Sequence, residues 1–133
     1  MLTRRGLLAS SAAAFGAKAA RAGCVTGSPE QFAAEARRMR EQAVAAGDQS
    51  YGAVIVLDGC IVGLGPSRVV VDANEDAHAE RVALWDAKAR LGRPDLFGAA
   101  IYSTSRPCMI CQAALVEAGV TTMHFANSTQ DAV

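Results

Sequence analysis

Two short runs hold residues whose types and spacing suit chemistry: His78-Ala79-Glu80 and Pro107-Cys108-Met109-Ile110-Cys111. Cys108 and Cys111 stand three apart, so a single helical turn presents both sulfurs on one side. At a helix N-terminus the aligned peptide dipoles and free N–H groups favour thiolate, the form that binds metal. Together with His78 they make three ligands of the kind zinc takes, one short of the four that close a structural zinc site. A catalytic zinc keeps that fourth position for water, whose pKa falls to about 7 there. Glu80 is read as a proton carrier rather than a fourth ligand. Helical periodicity does not bring residues i and i+2 together. The spacing of His78 and Glu80 therefore requires an irregular turn, or side chains that both reach past a helix end.

Positioning these groups takes an alternating set of helices and strands. Ser28-Pro29-Glu30-Gln31 has the N-cap, the Pro at N1 and the Gln at N3 of a capping box, and opens a helix with Phe32, Ala36, Met39 and Ala43 on one face. Gly47 ends it. Ala53–Leu57, Asp58-Gly59 and Cys60-Ile61-Val62 read as a hairpin with a two-residue turn, followed by a polar loop from Gly65 to Asp76. A second helix is expected from about Ala77 to Leu91, with Val82, Trp85 and Ala89 as its core stripe. Ala99–Ser103 is the third strand. Pro107 opens a third helix that Gly119 closes, and Val120–Phe125 is a fourth strand before a short polar tail. The order αββαβαβ implies an α/β domain with a mixed sheet, its hairpin antiparallel and its later crossovers parallel. Loop and strand ends beside helix starts are where such folds collect ligands, and both motifs lie there.

His-x-Glu followed by Pro-Cys-x-x-Cys is the signature of zinc deaminases. The chain resembles the cytidine and deoxycytidylate deaminase superfamily, nearest its branch of guanine deaminase and tRNA adenosine deaminase. Gly52-Ala53-Val54-Ile55-Val56 is similar to that branch's first strand, His78-Ala79-Glu80 to its zinc and proton-shuttle turn, and Pro107-Cys108-Met109-Ile110-Cys111 to its second zinc turn. The resemblance covers roughly Ser28 to Asn127. It implies a cytidine-deaminase-like three-layer α/β/α sandwich, zinc on His78, Cys108 and Cys111, Glu80 as general acid/base, and a homodimer. The implied reaction converts an amino group on a small nucleobase, nucleoside or related heterocycle to a carbonyl, releasing ammonia. Ser67 stands where the branch usually has Asn, and Arg106 where it usually has Glu. With Ala79 these are the candidate substrate contacts. The chain also ends soon after the fourth strand, short of the family's fifth strand and C-terminal helices, which implies an open pocket or one walled by a partner subunit.

The charge distribution separates the N-terminus from the rest. Lys+Arg and Asp+Glu are equal at 13 each, so the formal net charge is zero. Residues 1–22, however, hold Arg4, Arg5, Lys18 and Arg21 and no acid, leaving nine basic against thirteen acidic groups in 23–133. A basic start, the apolar stretch Leu7 to Ala17 and the small-residue site Ala20-Arg21-Ala22 make an export signal, with cleavage expected after Ala22. Thr3-Arg4-Arg5-Gly6-Leu7-Leu8 resembles the twin-arginine signal. The expected layout is a signal peptide over 1–22, a catalytic domain over 23–133, and a periplasmic or secreted location. No run reaches the roughly 18 apolar residues of a membrane span.

Phosphate neutralisation needs clustered Lys and Arg, so the acidic balance of 23–133 argues against tRNA or single-stranded nucleic acid as substrate. The competing readings are a nucleic-acid deaminase and a zinc-stabilised protein without catalysis. Cys108 and Cys111 could instead form a redox pair, which an oxidising compartment encourages. His124 is read as structural and Trp85 as core. Tyr51, Asp72, Asn74 and Asp76 are either pocket-lining or loop residues. Cys24 and Cys60 are left either free or paired with each other, or Cys24 carries a lipid.

Overall fold

The computed structural model describes residues 25–125 and 128–131. The expected signal segment 1–22 and Cys24 lie outside the described residues. The elements are β1 (Val25–Thr26), α1 (Pro29–Ala45), β2 (Gly52–Leu57), β3 (Cys60–Pro66), α2 (Ala79–Leu91), β4 (Ala100–Ser103), α3 (Met109–Glu117), β5 (Thr122–Phe125) and β6 (Ser128–Asp131). Six strands form one mixed sheet in the order β1-β3-β2-β4-β5-β6. β2 is antiparallel to both β3 and β4, while β4 and β5 are parallel. β3 and β4 therefore run the same way with β2 between them. The fold is the expected α/β sandwich with a mixed sheet.

The capping box of α1 is formed as its sequence implies. The Ser28 hydroxyl accepts from the Gln31 N–H at 3.3 Å, and the Gln31 side chain accepts from the Ser28 N–H at 2.8 Å. Phe32, Ala36, Met39 and Ala43 are all buried. The hairpin turn places Asp58 and Gly59 at φ 52° and 78°, the left-handed pair that a type I′ turn requires.

β2 is buried at every position because helices cover both faces of the sheet. Ala53, Ile55 and Leu57 face a core built with α2 and α3, whereas Val54 and Val56 face Phe32, Ala36 and Met39 of α1. Each fully buried Val or Ile contributes about 1.5–3 kcal/mol.

α2 lies closer to the sheet than bulky side chains would allow. A Cβ on Gly65 of β3 would stand 2.1 Å from the Ala79 carbonyl oxygen, and one on Gly63 would stand 2.3 Å from that of Ala83. This close approach corrects the expected core stripe. Ala79, Ala83, Leu84 and Ala87 are buried, while Trp85 is 43% exposed and Ala89 is exposed. Alanines stand where α2 meets the glycine-lined strand, and the bulky Trp85 is turned outward. Two further expectations are corrected. α2 and α3 begin at Ala79 and Met109, two residues later than expected, and the polar tail contains an antiparallel edge strand, β6, paired to β5. Among the described residues no helix is long and apolar enough to cross a membrane.

Candidate metal centre and active site

The late helix starts explain both motif spacings. His78 is the N-cap of α2 with extended backbone (φ −65°, ψ 153°), and Cys108 is the N-cap of α3 in nearly the same conformation (φ −69°, ψ 167°). An N-cap side chain points past the helix end instead of along its flank. His78 makes no capping hydrogen bond, leaving its imidazole to face the cysteines. The Cys108 sulfur accepts from the Cys111 N–H at 3.4 Å, so the Cys-x-x-Cys spacing is that of N-cap and N3.

His78 Nδ1 lies 3.3 Å from Cys111 Sγ and 3.7 Å from Cys108 Sγ. All three ligand atoms lie within 4.8 Å of one another. Tetrahedral zinc with ordinary Zn–N and Zn–S lengths separates its nitrogen and sulfur ligands by about 3.6 Å, so the donors fit that ion in kind and in spacing. Burial, and then the neighbouring Cys108 sulfur, push the Cys111 thiol above its ordinary value. Two adjacent thiolates in such a place need a cation between them. The geometry favours a metal site over a redox pair.

Glu80, in the first turn of α2, is buried, and Ser103 at the end of β4 donates its hydroxyl to Glu80 Oε1 at 2.9 Å. A cavity of about 400 Å³ opens over this group, lined by Gln49, Tyr51, His78, Ala79, Glu80, Ser105, Arg106 and Cys108. That volume is within the range of small-molecule sites. The arrangement can bind a metal ion, admit a flat ring beside it, and move a proton on a carboxylate held in one orientation.

Of the candidate substrate contacts, Ala79 and Arg106 line the cavity. Ser67 does not. It is 2% exposed, and its hydroxyl is donated to Asp48 at 2.8 Å. Asp48 also accepts from the N–H groups of Gln49, Val70 and Val71, and so clamps the loop after β3. These hydrogen bonds outweigh the burial that would raise its carboxyl, which sits below the usual aspartate range. Among the four undecided loop residues Tyr51 borders the cavity; Asp72 pairs with Arg68, Asp76 with Arg81, and Asn74 accepts from the Asp76 N–H. His124 stacks on Tyr102 with ring centroids 4.3 Å apart. Cys60 is disulfide-bonded. Sequence reasoning passed over Ser103, Gln49 and Ser105. Ser103 had one signal, its place at the C-terminal end of a strand beside a helix start.

A family described as the cytidine and deoxycytidylate deaminase zinc-binding region matches residues 27–127. The chain is 31% identical over 85 residues to a tRNA-specific adenosine deaminase of Buchnera aphidicola subsp. Schizaphis graminum, covering 64% of this chain and 56% of that protein. It is 34% identical over 82 residues to a guanine deaminase of Bacillus subtilis, covering 62% of this chain and 53% of that one. The chain thus spans little more than half the length of these curated relatives. The crystal structure of Bacillus subtilis guanine deaminase superposes with a TM-score of 0.71 at 32% identity, covering 75% of this chain and 64% of that one.

Proposed function

Because the chain belongs to the cytidine and deoxycytidylate deaminase zinc-binding family, we propose that it deaminates a small nucleobase, nucleoside or related heterocycle hydrolytically. The observation that carries this reading is the cluster of His78, Cys108 and Cys111, of which His78 and Cys108 line the same cavity as Glu80. Zinc is the cofactor, and when bound it supplies Lewis acidity that makes water a nucleophile at neutral pH. His78, Cys108 and Cys111 hold it. Glu80 takes a proton from the attacking water, delivers it to the ring nitrogen, and assists the amino group out as ammonia. Ser103 fixes one oxygen of Glu80, so the other is the one that exchanges protons. The products are the oxo-heterocycle and ammonia, which balance one amino-heterocycle and one water.

The test is ammonia release by zinc-loaded protein across guanine, cytosine, adenine, their nucleosides and pterins. Glu80→Gln is expected to keep zinc and lose about 10²–10⁴ in rate. One zinc per chain with no ammonia from any compound would overturn the reading in favour of a zinc-stabilised protein without catalysis. A second reading, action on tRNA, is favoured by the tRNA-specific relative. Ammonia from tRNA and from none of the small compounds would establish it.

The protein is further proposed to be exported by the twin-arginine route and to act in an oxidising compartment as a homodimer. The Arg4-Arg5 motif and the disulfide at Cys60 support export. Met109 and Ile110, 86% and 63% exposed beside Cys108, support a second subunit packed near the site. Cytoplasmic retention of the full chain would defeat the first proposal, and a monomer mass by light scattering the second.

A further inference from the structure

We infer that Arg106 and Gln49 form an oxyanion subsite, so that the heterocycle deaminated here bears an acidic group, a carboxylate or a phosphate. The inference rests on the deaminase reading for the ring's place beside Glu80, and on the cavity itself for the rest. Arg106 lines that cavity together with His78, Ala79 and Glu80 from the start of α2. Its guanidinium lies over the Phe125 ring, 5.8 Å from the centroid, a contact that steadies the side chain without neutralising it. The ion pairs among the described residues join Arg38 to Glu35, Arg68 to Asp72, Arg81 to Asp76 and Arg90 to Asp86, and none engages Arg106. An arginine that lines a ligand cavity and has no carboxylate partner among the described residues can offer a planar fork of donors, which matches an oxyanion in two bonds.

Ser67 gives its hydroxyl to Asp48 and does not line the cavity. Gln49, whose backbone N–H is anchored on the same aspartate, borders the cavity with an amide that can donate a further hydrogen bond. Recognition of an anion therefore falls to Arg106 and Gln49. A polyanion is disfavoured, since residues 23–133 hold nine basic against thirteen acidic groups. One well-placed cation in an acidic domain suits a small ligand with one acidic group.

The experiment measures binding by calorimetry on the zinc-loaded Glu80→Gln protein, so that it needs no turnover. Matched pairs serve as probes: cytidine against cytidine 5′-monophosphate, guanosine against guanosine 5′-monophosphate, and pterin against pterin-6-carboxylate. The acidic member of at least one pair is expected to bind about ten-fold or more tightly than the neutral one. Arg106→Gln is expected to abolish that preference, and Arg106→Lys to restore part of it. The phosphate and carboxylate pairs tell the two sources of the anion apart. Equal affinity within every pair, a preference that survives in Arg106→Gln, or tRNA binding tighter than every small probe would overturn the inference. Ammonia assays on the unsubstituted protein are read separately. Discrimination without ammonia sinks the deaminase reading alone, and ammonia without discrimination sinks the subsite alone.

Discussion

Replacing Gly65 with Ala puts a methyl group where α2 rests on β3. The added Cβ would stand 2.1 Å from the Ala79 carbonyl oxygen and 2.5 Å from the Ala83 nitrogen, against the 3.4 Å at which ordinary contact begins. Both neighbours are helix backbone, which has no rotamer to escape into, so the start of α2 must retreat by about 1.3 Å. Overpacking of this kind costs about 1–3 kcal/mol, and rigid backbone neighbours place Gly65→Ala near the upper end. For a domain of this size that lowers Tm by about 10 °C. The larger effect is local, because the displaced turn carries both His78 and Glu80. A misplacement of about 1 Å at a reacting group costs on the order of 10²-fold in rate. Zinc ligands tolerate only about 0.2 Å, so zinc affinity falls as well. The assays are zinc per chain after dialysis, thermal unfolding, and kcat/KM. Gly47→Ala is the control: it strains a left-handed backbone (φ 81°) with nothing within 4 Å, so it costs about 1 kcal/mol of stability and leaves zinc and rate per folded molecule unchanged. A Gly65→Ala protein with full zinc and wild-type kcat/KM would refute the claim that this close contact positions the site.

Two other perturbations separate positioning from chemistry. Ser103→Ala removes the donor to Glu80 Oε1 and is expected to lower kcat by about 10–100-fold with KM little changed, while Ser103→Thr, which keeps the hydroxyl, restores most of the rate. An equal loss in the Thr variant would assign Ser103 a packing role instead. Asp48 titrates below the usual aspartate range in the folded state, so the unfolded chain binds its proton first as pH falls. Its stabilising contribution is therefore complete above the unfolded value of about 3.9 and is lost as pH drops through the lower folded value. Asp48→Asn is expected to flatten the acid side of the stability curve measured by urea denaturation between about pH 2 and 5; a curve parallel to wild type would show that the clamp does not titrate as described.

The parts of the fold that follow local rules were legible in the chain. The capping box at Ser28 and the Asp58-Gly59 turn act through neighbours in sequence, and both formed as expected. Features set by distant partners were not. The buried face of α2 depends on two glycines of β3, and periodicity, which weighs apolar character and not size, chose Val82, Trp85 and Ala89 over Ala79, Ala83 and Ala87. β6 carries no apolar alternation in Ser-Thr-Gln-Asp; its pairing with β5 is made by backbone groups that every sequence possesses. The helix starts shifted for a related reason. Pro107 suits N1, but Cys108 caps the helix with its sulfur, a role outside the usual Ser, Thr, Asp and Asn set.

At the site, the residue types were legible and their surroundings were not. His78, Glu80, Cys108 and Cys111 announce themselves by spacing, and the helix starts supply the reason: they occupy N-cap and N2 on one helix and N-cap and N3 on the other, and the ligand atoms of His78, Cys108 and Cys111 meet within 4.8 Å. The two departures at Ser67 and Arg106 look equivalent in the sequence, since each replaces an expected polar residue near the pocket. In three dimensions they differ. Ser67 is absorbed by the Asp48 clamp and withdraws a hydrogen bond from the cavity, whereas Arg106 stays unpaired among the described residues and adds a charge to it. The proposed catalytic group and the proposed oxyanion subsite thus come from different elements, one from two helix starts and the other from loops. A search for the substrate should accordingly vary charge before it varies the ring.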